Sequence, residues 1–262
     1  MMNWPNFSIH ANWGSDGLSP KVIGEKTLAT LDQLEPLSSA MTNWMLVDEI
    51  AQDGVPLAEM RTDMTAFVER NVNELDWGET PGAEGYTMIA IGSEIVSEER
   101  SSDAAHLMLT AGNVALNSAK FTIGAIDLPN NYSLITYPIF KGALEAIAAN
   151  WPCPWLLAYT YNSEAAPVDA PDRGAEEGRS PFEVAWIAYL SPKLAAGLSP
   201  PDTLACERTA GGGVILSAIQ GLIDQDNPDH MHRSRLLEAI LEDRVGRDRQ
   251  RAALLPARIG PY

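Results

Sequence analysis

Cysteine is nearly absent from this sequence: Cys153 and Cys206 are the only two in 262 residues. Two thiols build neither a disulfide framework nor a zinc site, so each is read as a small hydrophobe. Basic charge is also scarce, with 18 Lys+Arg against 35 Asp+Glu and a formal net charge of -17. That balance repels phosphate and anionic lipid, which argues against direct nucleic-acid or membrane-surface binding. No stretch approaches the roughly 20 apolar residues of a membrane span, and Met1 to Gly14 lacks the cationic start and apolar run of a signal peptide. A cytoplasmic protein is the expectation. Walker loop, GxGxxG, GxSxG, HExxH and CxxC patterns are all missing, so phosphate-cradling, hydrolase and zinc chemistry lack their usual carriers, and no cofactor or metal is expected.

What is present is a foldable chain, 45% hydrophobic and 20% charged. Phe7, Ile9, Ala11 and Trp13 alternate with polar residues as one face of a strand. Ser19-Pro20 then gives an N-cap and first helical position, with Leu28, Leu31 and Leu34 behind it. Pro36 interrupts that helix, and Leu37, Met41, Trp44 and Met45 continue an apolar stripe to about Val47. Pro56 starts a third helix with Leu57, Met60, Met64, Phe67 and Val68 on one side and Glu59 and Asp63 four apart on another. Residues 76 to 85 form a loop. Apolar runs Tyr86 to Gly92, His106 to Ala111 and Phe121 to Ile126 then predict an antiparallel meander, with turns at Gly112-Asn113 and Asn117-Ser118.

Asp127 to Asn131 marks the expected boundary between residues 1-130 and 131-262. The second part predicts a strand around Tyr132 to Tyr137 and a helix from Pro138 carrying Phe140, Leu144, Ile147, Ala148 and Trp151. Strands follow at Trp155 to Tyr161 and around Trp186, separated by a polar stretch from Asn162 to Pro181. Gly211-Gly212-Gly213 predicts a hairpin turn between strands. Asn227-Pro228-Asp229 opens a last helix, with Leu236, Leu237, Ile240 and Leu241 as its buried stripe and an Arg-rich remainder that frays from Arg244. Helices followed by runs of short strands indicate an α+β fold, antiparallel sheets packed with helices, in two halves or one continuous domain.

The acid is not evenly spread. Between Asp48 and Asp103 stand 14 acids against Arg61, Arg70 and Arg100, whereas residues 231 to 262 carry 4 acids and 7 arginines. A solvated face is the ordinary reading of such a run; a face shaped to meet a basic protein partner is the sharper one. On that reading the binding candidates are Asp48, Glu49, Asp53, Glu59, Asp63, Glu74, Asp76, Trp77, Glu79, Glu84, Glu98 and Glu99. Trp77 among its carboxylates suits an interface anchor, against partial burial. Trp13, Trp44, Trp151, Trp155 and Trp186 fall on buried stripes, and Trp4 and Trp77 near loops.

Catalytic candidates are weaker. His10 and His106 fall in strands, where a packed histidine is the ordinary reading, and His230 and His232 lie two apart on a helix, unable to form an i, i+4 metal pair. The carboxylate pairs Glu59/Asp63, Glu98/Glu99 and Glu176/Glu177 have nothing in the sequence to join them in a pocket. An enzyme with an α+β site of another kind, and a DNA-mimic inhibitor with carboxylates spaced like phosphates, stay open as alternatives.

Three segments resemble the immunity protein 52 family of bacterial polymorphic toxin systems. They are the opening from Phe7 to Asp48 with Trp13-Gly14 and Trp44; Trp186 to Pro201 with Leu190-Ser191-Pro192 and Pro200-Pro201; and Gly211 to Leu241 with Asn227-Pro228-x-His230. The loop Ser15-Asp16-Gly17 departs from the family, whose members often carry basic and acidic residues after Trp-Gly. The resemblance implies an antidote without catalytic residues, binding a cognate toxin of the type VI or contact-dependent kind, often a restriction-endonuclease-like nuclease. An acidic surface suits that partner, because a nuclease needs a cationic surface to hold phosphate.

Overall fold

The structure, a computed structural model, describes residues 6–15, 17–48, 53–73, 85–94, 103–113, 116–124, 131–161 and 184–246. The chain is an α+β protein of antiparallel sheets packed with helices. It divides into two compact units, Asn12–Cys153 and a second made of Met1–Ala11 with Pro154–Tyr262. This division differs from a break at 130/131. Residues 131 to 153 belong with the first unit because their helix packs on its first helix, and the opening strand β1 (Asn6–Gly14) pairs through Ala11 with a strand of the second.

In the unit Asn12–Cys153 the strand order is β3-β2-β4-β5-β6. The meander β4 (Tyr86–Gly92), β5 (Ala105–Ala111) and β6 (Leu116–Ile123) buries every second residue, as an antiparallel sheet with one covered face must. Met88, Ala90, Leu107, Leu109, Ala119 and Phe121 form that face. Phe121 meets Phe140 of helix α4 (Tyr137–Asn150) edge-on, ring centroids 6.0 Å apart. Helix α1 (Pro20–Leu34) is capped by Ser19, whose hydroxyl accepts from the Val22 N–H, and lies against α4. Trp151 Nε1 donates to Thr30 Oγ1 at 3.0 Å, and the Lys26 ammonium donates to the Asn150 carbonyl while standing 5.8 Å from the Trp151 ring centre. Gly24 admits a third helix: a Cβ there would sit 3.0 Å from Met64 Cγ.

Three segments depart from the expected elements. The helix expected to resume after Pro36 is replaced by tight turns at Glu35–Leu37 and Ser39–Met41 and then by strand β2 (Met45–Asp48). Ser38 is extended at φ -165°, its hydroxyl accepts from the Ala40 N–H, and Asn43 at φ 46° redirects the chain into pairing with β4. The single helix expected from Pro56 is broken. Pro56 closes β3 (Asp53–Pro56), and short α2 (Leu57–Met60) is separated from α3 (Met64–Arg70) by a turn in which Asp63 has φ -122° and ψ 24°. The expected strand around Tyr132 to Tyr137 is absent: a turn at Tyr132 to Leu134, in which Asn131 Oδ1 accepts from both Ser133 N and Ser133 Oγ, leads to α4, which already begins at Tyr137.

Asn117 lies inside β6 and not in a turn. Its buried carboxamide accepts from Asn113 N and donates to Gly14 O, both at 2.8 Å.

In the unit of Met1–Ala11 and Pro154–Tyr262 the order is β1-β7-β8-β10-β9, with β7 (Trp155–Tyr161), β8 (Val184–Leu190), β9 (Ala205–Arg208) and β10 (Val214–Ser217). Residues 155 to 160 and all of β8 are buried on both faces, so the apolar content is continuous rather than alternating. Phe7 packs edge-on to Trp186, whose Nε1 donates to the carbonyls of Ile219 and Gly221. The glycine hairpin is present: Gly212 has φ 81°, and a Cβ on Gly213 would approach the Tyr189 ring to 2.5 Å.

Short α5 (Pro192–Ala195) follows β8, and α6 (Pro228–Val245) opens at Asn227, whose side chain accepts from the N–H groups of Asp229 and His230. Its buried stripe is Ser234, Leu237, Leu241 and Val245; Leu236 and Ile240 are only half-buried. The helix stays ordered through Val245 and ends at Gly246, φ 86°, while the expected fraying beyond lies outside the described residues. The strands β3 and β9 at the ends of these orders are four residues each.

The Trp151 to Thr30 bond is the buried polar tie between α1 and α4. Trp151→Phe is expected to cost about 2–4 kcal/mol, from the lost hydrogen bond and the space left by the smaller ring beside Trp13, and Thr30→Val about 1 kcal/mol from the bond alone. Thermal unfolding of the two singles and the double checks this, since a shared bond makes the double less costly than the sum of the singles.

Candidate functional site

Sequence and structure agree least on the acidic candidates. Asp48 is 7% exposed and lies on the sheet face that the helices cover, its carboxylate 3.7 Å from Arg70 Nε of α3. It is an internal ion-pair residue and not part of an open binding surface. Glu59 and Asp63 are exposed, but the break between α2 and α3 takes them off a shared helical stripe. Arg61 between them bonds Asp32 of α1 at 2.7 Å, and that bond raises its pKa further. Glu49, Glu74, Asp76, Trp77, Glu79, Glu84, Glu98, Glu99 and the Asp53 side chain lie outside the described residues, as do Glu176 and Glu177. Exposed on α1, α2, α3 and the turns beside them are Glu25, Asp32, Glu35, Glu59, Asp63 and Glu69, set against Lys21, Arg61 and Arg70. Of this helical layer, Glu59, Asp63 and Glu69 belong to the acidic region between Asp48 and Asp103, and Glu25, Asp32 and Glu35 of α1 and the turn after it extend it.

The opposite face of the same sheet is different in kind. Residues directly opposite in antiparallel strands share a face. The register therefore lines up Met45, Ile91, His106 and Thr122 in one row, Val47, Ile89, Met108 and Lys120 in the next, and Thr87, Thr110 and Ser118 in a third. All are half-buried, whereas the residues between them on each strand go under the helices. Five apolar side chains thus lead up to His106 in the first row and to Lys120 at the β6 end of the second. Burial lowers the pKa of Lys120, and burial together with the nearby Lys120 charge lowers that of His106. Among the described residues Lys120 meets no carboxylate. Nothing in the strand pattern of β5 and β6 distinguished these two positions from ordinary solvent-facing ones.

The remaining chemical candidates are placed in structural roles. His10 is edge-on to Tyr159 at 5.3 Å in the second unit, and Ser8 lies on the same strand face, but Ser8 has no solvent exposure through which a substrate could reach it. His230 Nδ1 accepts from the Asp224 N–H and fixes the turn into α6, and His232 is exposed. Among the described residues no cluster of His, Cys, Asp or Glu could hold a metal ion. Trp13, Trp44, Trp151, Trp155 and Trp186 are all core residues, and Trp4 lies outside the described residues. Cys153 is buried, which pushes its thiol pKa up; Cys206 on the end strand β9 is exposed, so it is not the packed hydrophobe expected. No helix among the described residues is long and apolar enough to cross a membrane.

Comparison with known proteins bears on the fold. A scan against protein-family models gives no match, and a search of curated proteins gives none. Among solved structures, the Pseudomonas aeruginosa T6SS protein PA0821 is similar, with a TM-score of 0.55 at 13% identity, covering 92% of this chain and 73% of that one. The likeness is one of fold. It extends over nearly the whole chain and connects the architecture to a protein of a T6SS; membership of the immunity protein 52 family is not shown by it.

Two measurements follow from this placement. A thiol reagent should label one cysteine per folded chain, Cys206, and the second only on denaturation; two fast equivalents would mean that Cys153 is reachable. The depressed His106 pKa means that the unfolded chain takes up its proton first, near the ordinary value of about 6.5, so stability falls as pH drops through that value. His106→Leu should therefore lose less stability than the wild type between pH 7 and pH 5, as measured by urea unfolding. Parallel losses would remove His106 from the account.

Proposed function

We propose that this chain is an immunity protein that binds a cognate secreted toxin, a nuclease, in the cytoplasm and neutralises it without catalysis. The observation that carries the reading is the fold likeness to a T6SS protein over 92% of the chain. The net charge of -17 supports the choice of a nuclease, because a surface built to hold phosphate is cationic and an acidic antidote is drawn to it. On this reading the acidic helical layer around Asp32, Glu35, Glu59 and Asp63 guides the encounter. Neutralisation follows by covering the active-site cleft or by preventing the toxin from assembling.

Co-expression with the product of the adjacent gene tests the reading directly. The toxin alone should stop growth of a heterologous bacterial host, and this chain should restore it; killing that persists in its presence defeats the proposal. Reversing the charges of Asp32, Glu35, Glu59 and Asp63 to Lys together should slow association by about tenfold at low salt and flatten its salt dependence. Stopped-flow kinetics at two or more ionic strengths measure both effects. Asp48→Lys should act otherwise, lowering the melting temperature, since its carboxylate is internal.

A further inference from the structure

The sheet face around Lys120 has the composition of an interface centre and not of a solvated surface. Met45, Val47, Ile89, Ile91 and Met108 lie side by side there in two adjacent rows, each half-buried. A contiguous apolar patch of this kind, rimmed by Thr87, Thr110, Ser118 and Thr122, marks a contact surface. Lys120 stands at the β6 end of the second row, directly opposite Met108, with a partly desolvated ammonium and no carboxylate among the described residues to meet it. This happens in a chain that carries 35 acidic side chains. A half-buried cation without a counter-charge is costly in a free protein and becomes favourable once a partner supplies the opposite charge in the same apolar setting.

We propose that this face is the seat of a protein partner that brings a carboxylate, set among apolar side chains, onto Lys120. The inference rests on the immunity reading and identifies the surface that holds the toxin, where the acidic helical layer only guides it. Charge excludes the other occupants. Two copies meeting through this face would offer Lys120 no carboxylate, since the three rows hold none, and each copy carries -17; an anionic lipid surface is repelled by the same net charge. The partner surface that fits is therefore a local acidic spot on an otherwise basic protein. The division of labour is kinetic: the helical layer sets the association rate and the Lys120 face sets the residence time.

The test uses the full chain and the purified product of the adjacent gene, with association and dissociation read by biolayer interferometry and protection read by co-expression. Lys120→Glu is expected to raise the dissociation rate a hundredfold or more, with the association rate changed by less than threefold. Lys120→Met, which keeps the apolar stem, should raise it about tenfold, and both variants should keep the wild-type melting temperature or exceed it. Lys21→Glu, an exposed lysine on α1, serves as the control and should leave the dissociation rate unchanged. If Lys120→Glu fails to fold, Lys120→Met decides by the same readout. Dissociation rates within twofold of wild type for the folded Lys120 variants, with the wild type still protecting, overturn this inference and leave the immunity reading standing. A wild type that neither binds nor protects overturns both. A dimer of this chain in light scattering that Lys120→Glu abolishes would overturn it in favour of a second copy.

Discussion

A β-strand has two faces, and a layer of helices covers only one of them. In the unit Asn12–Cys153 this constraint organises everything else. Alternate residues of β4, β5 and β6 go under α1, α3 and α4, where Phe121 meets Phe140 and Asp48 meets Arg70. The intervening residues form a second surface whose chemistry is not dictated by the core. That freedom is where function can be written without loss of stability. Five apolar residues, a histidine and a lysine that meets no carboxylate among the described residues stand there, beside the Thr and Ser that solvent would favour.

How much of this could be read from the sequence depended on whether the deciding interaction was local. Ser19-Pro20 and Asn227-Pro228-Asp229 announced their helices because a cap and a preset φ act within one turn. The runs Tyr86 to Gly92 and Trp155 to Tyr161 were legible from apolar content, and Gly211-Gly212-Gly213 from glycine's tolerance of positive φ. Met45 to Val47 was not legible: its spacing from Leu37 and Met41 suits a helix, and the partner strand β4 that overrides it lies about 40 residues away in sequence. Asn117 reads as a turn residue since asparagine usually is one, whereas here its buried amide donates to the Gly14 carbonyl, about 100 residues away in sequence. The interface candidates were the least legible. Counting acids finds a charged region but cannot tell the internal Asp48 from the exposed Glu59, and a count of charge passes over a lone lysine whose importance lies in what surrounds it.

Charge and apolar area therefore do different work on two sides of one sheet. The acid surplus acts at a distance and is screened within about 10 Å at ordinary ionic strength. On the proposed reading it recruits without discriminating among basic proteins. The His106 and Lys120 face acts only at contact and rewards a matching carboxylate. An antidote of the kind proposed, which must reach its target before damage is done and then not let go, would benefit from keeping these two properties on separate surfaces.

The end strands β3 and β9 restrict how any partner can attach. Each offers four residues, β3 finishes on Pro56, which has no N–H to give, and β9 carries Glu207 and Arg208. A partner chain seeking to extend a sheet by adding its own strand would find too few donors at β3 and a charged ledge at β9. Recognition by backbone pairing, which reads little of a partner's sequence, is thereby discouraged. Contact is left to side chains on the faces, where one substitution can change which partner is accepted.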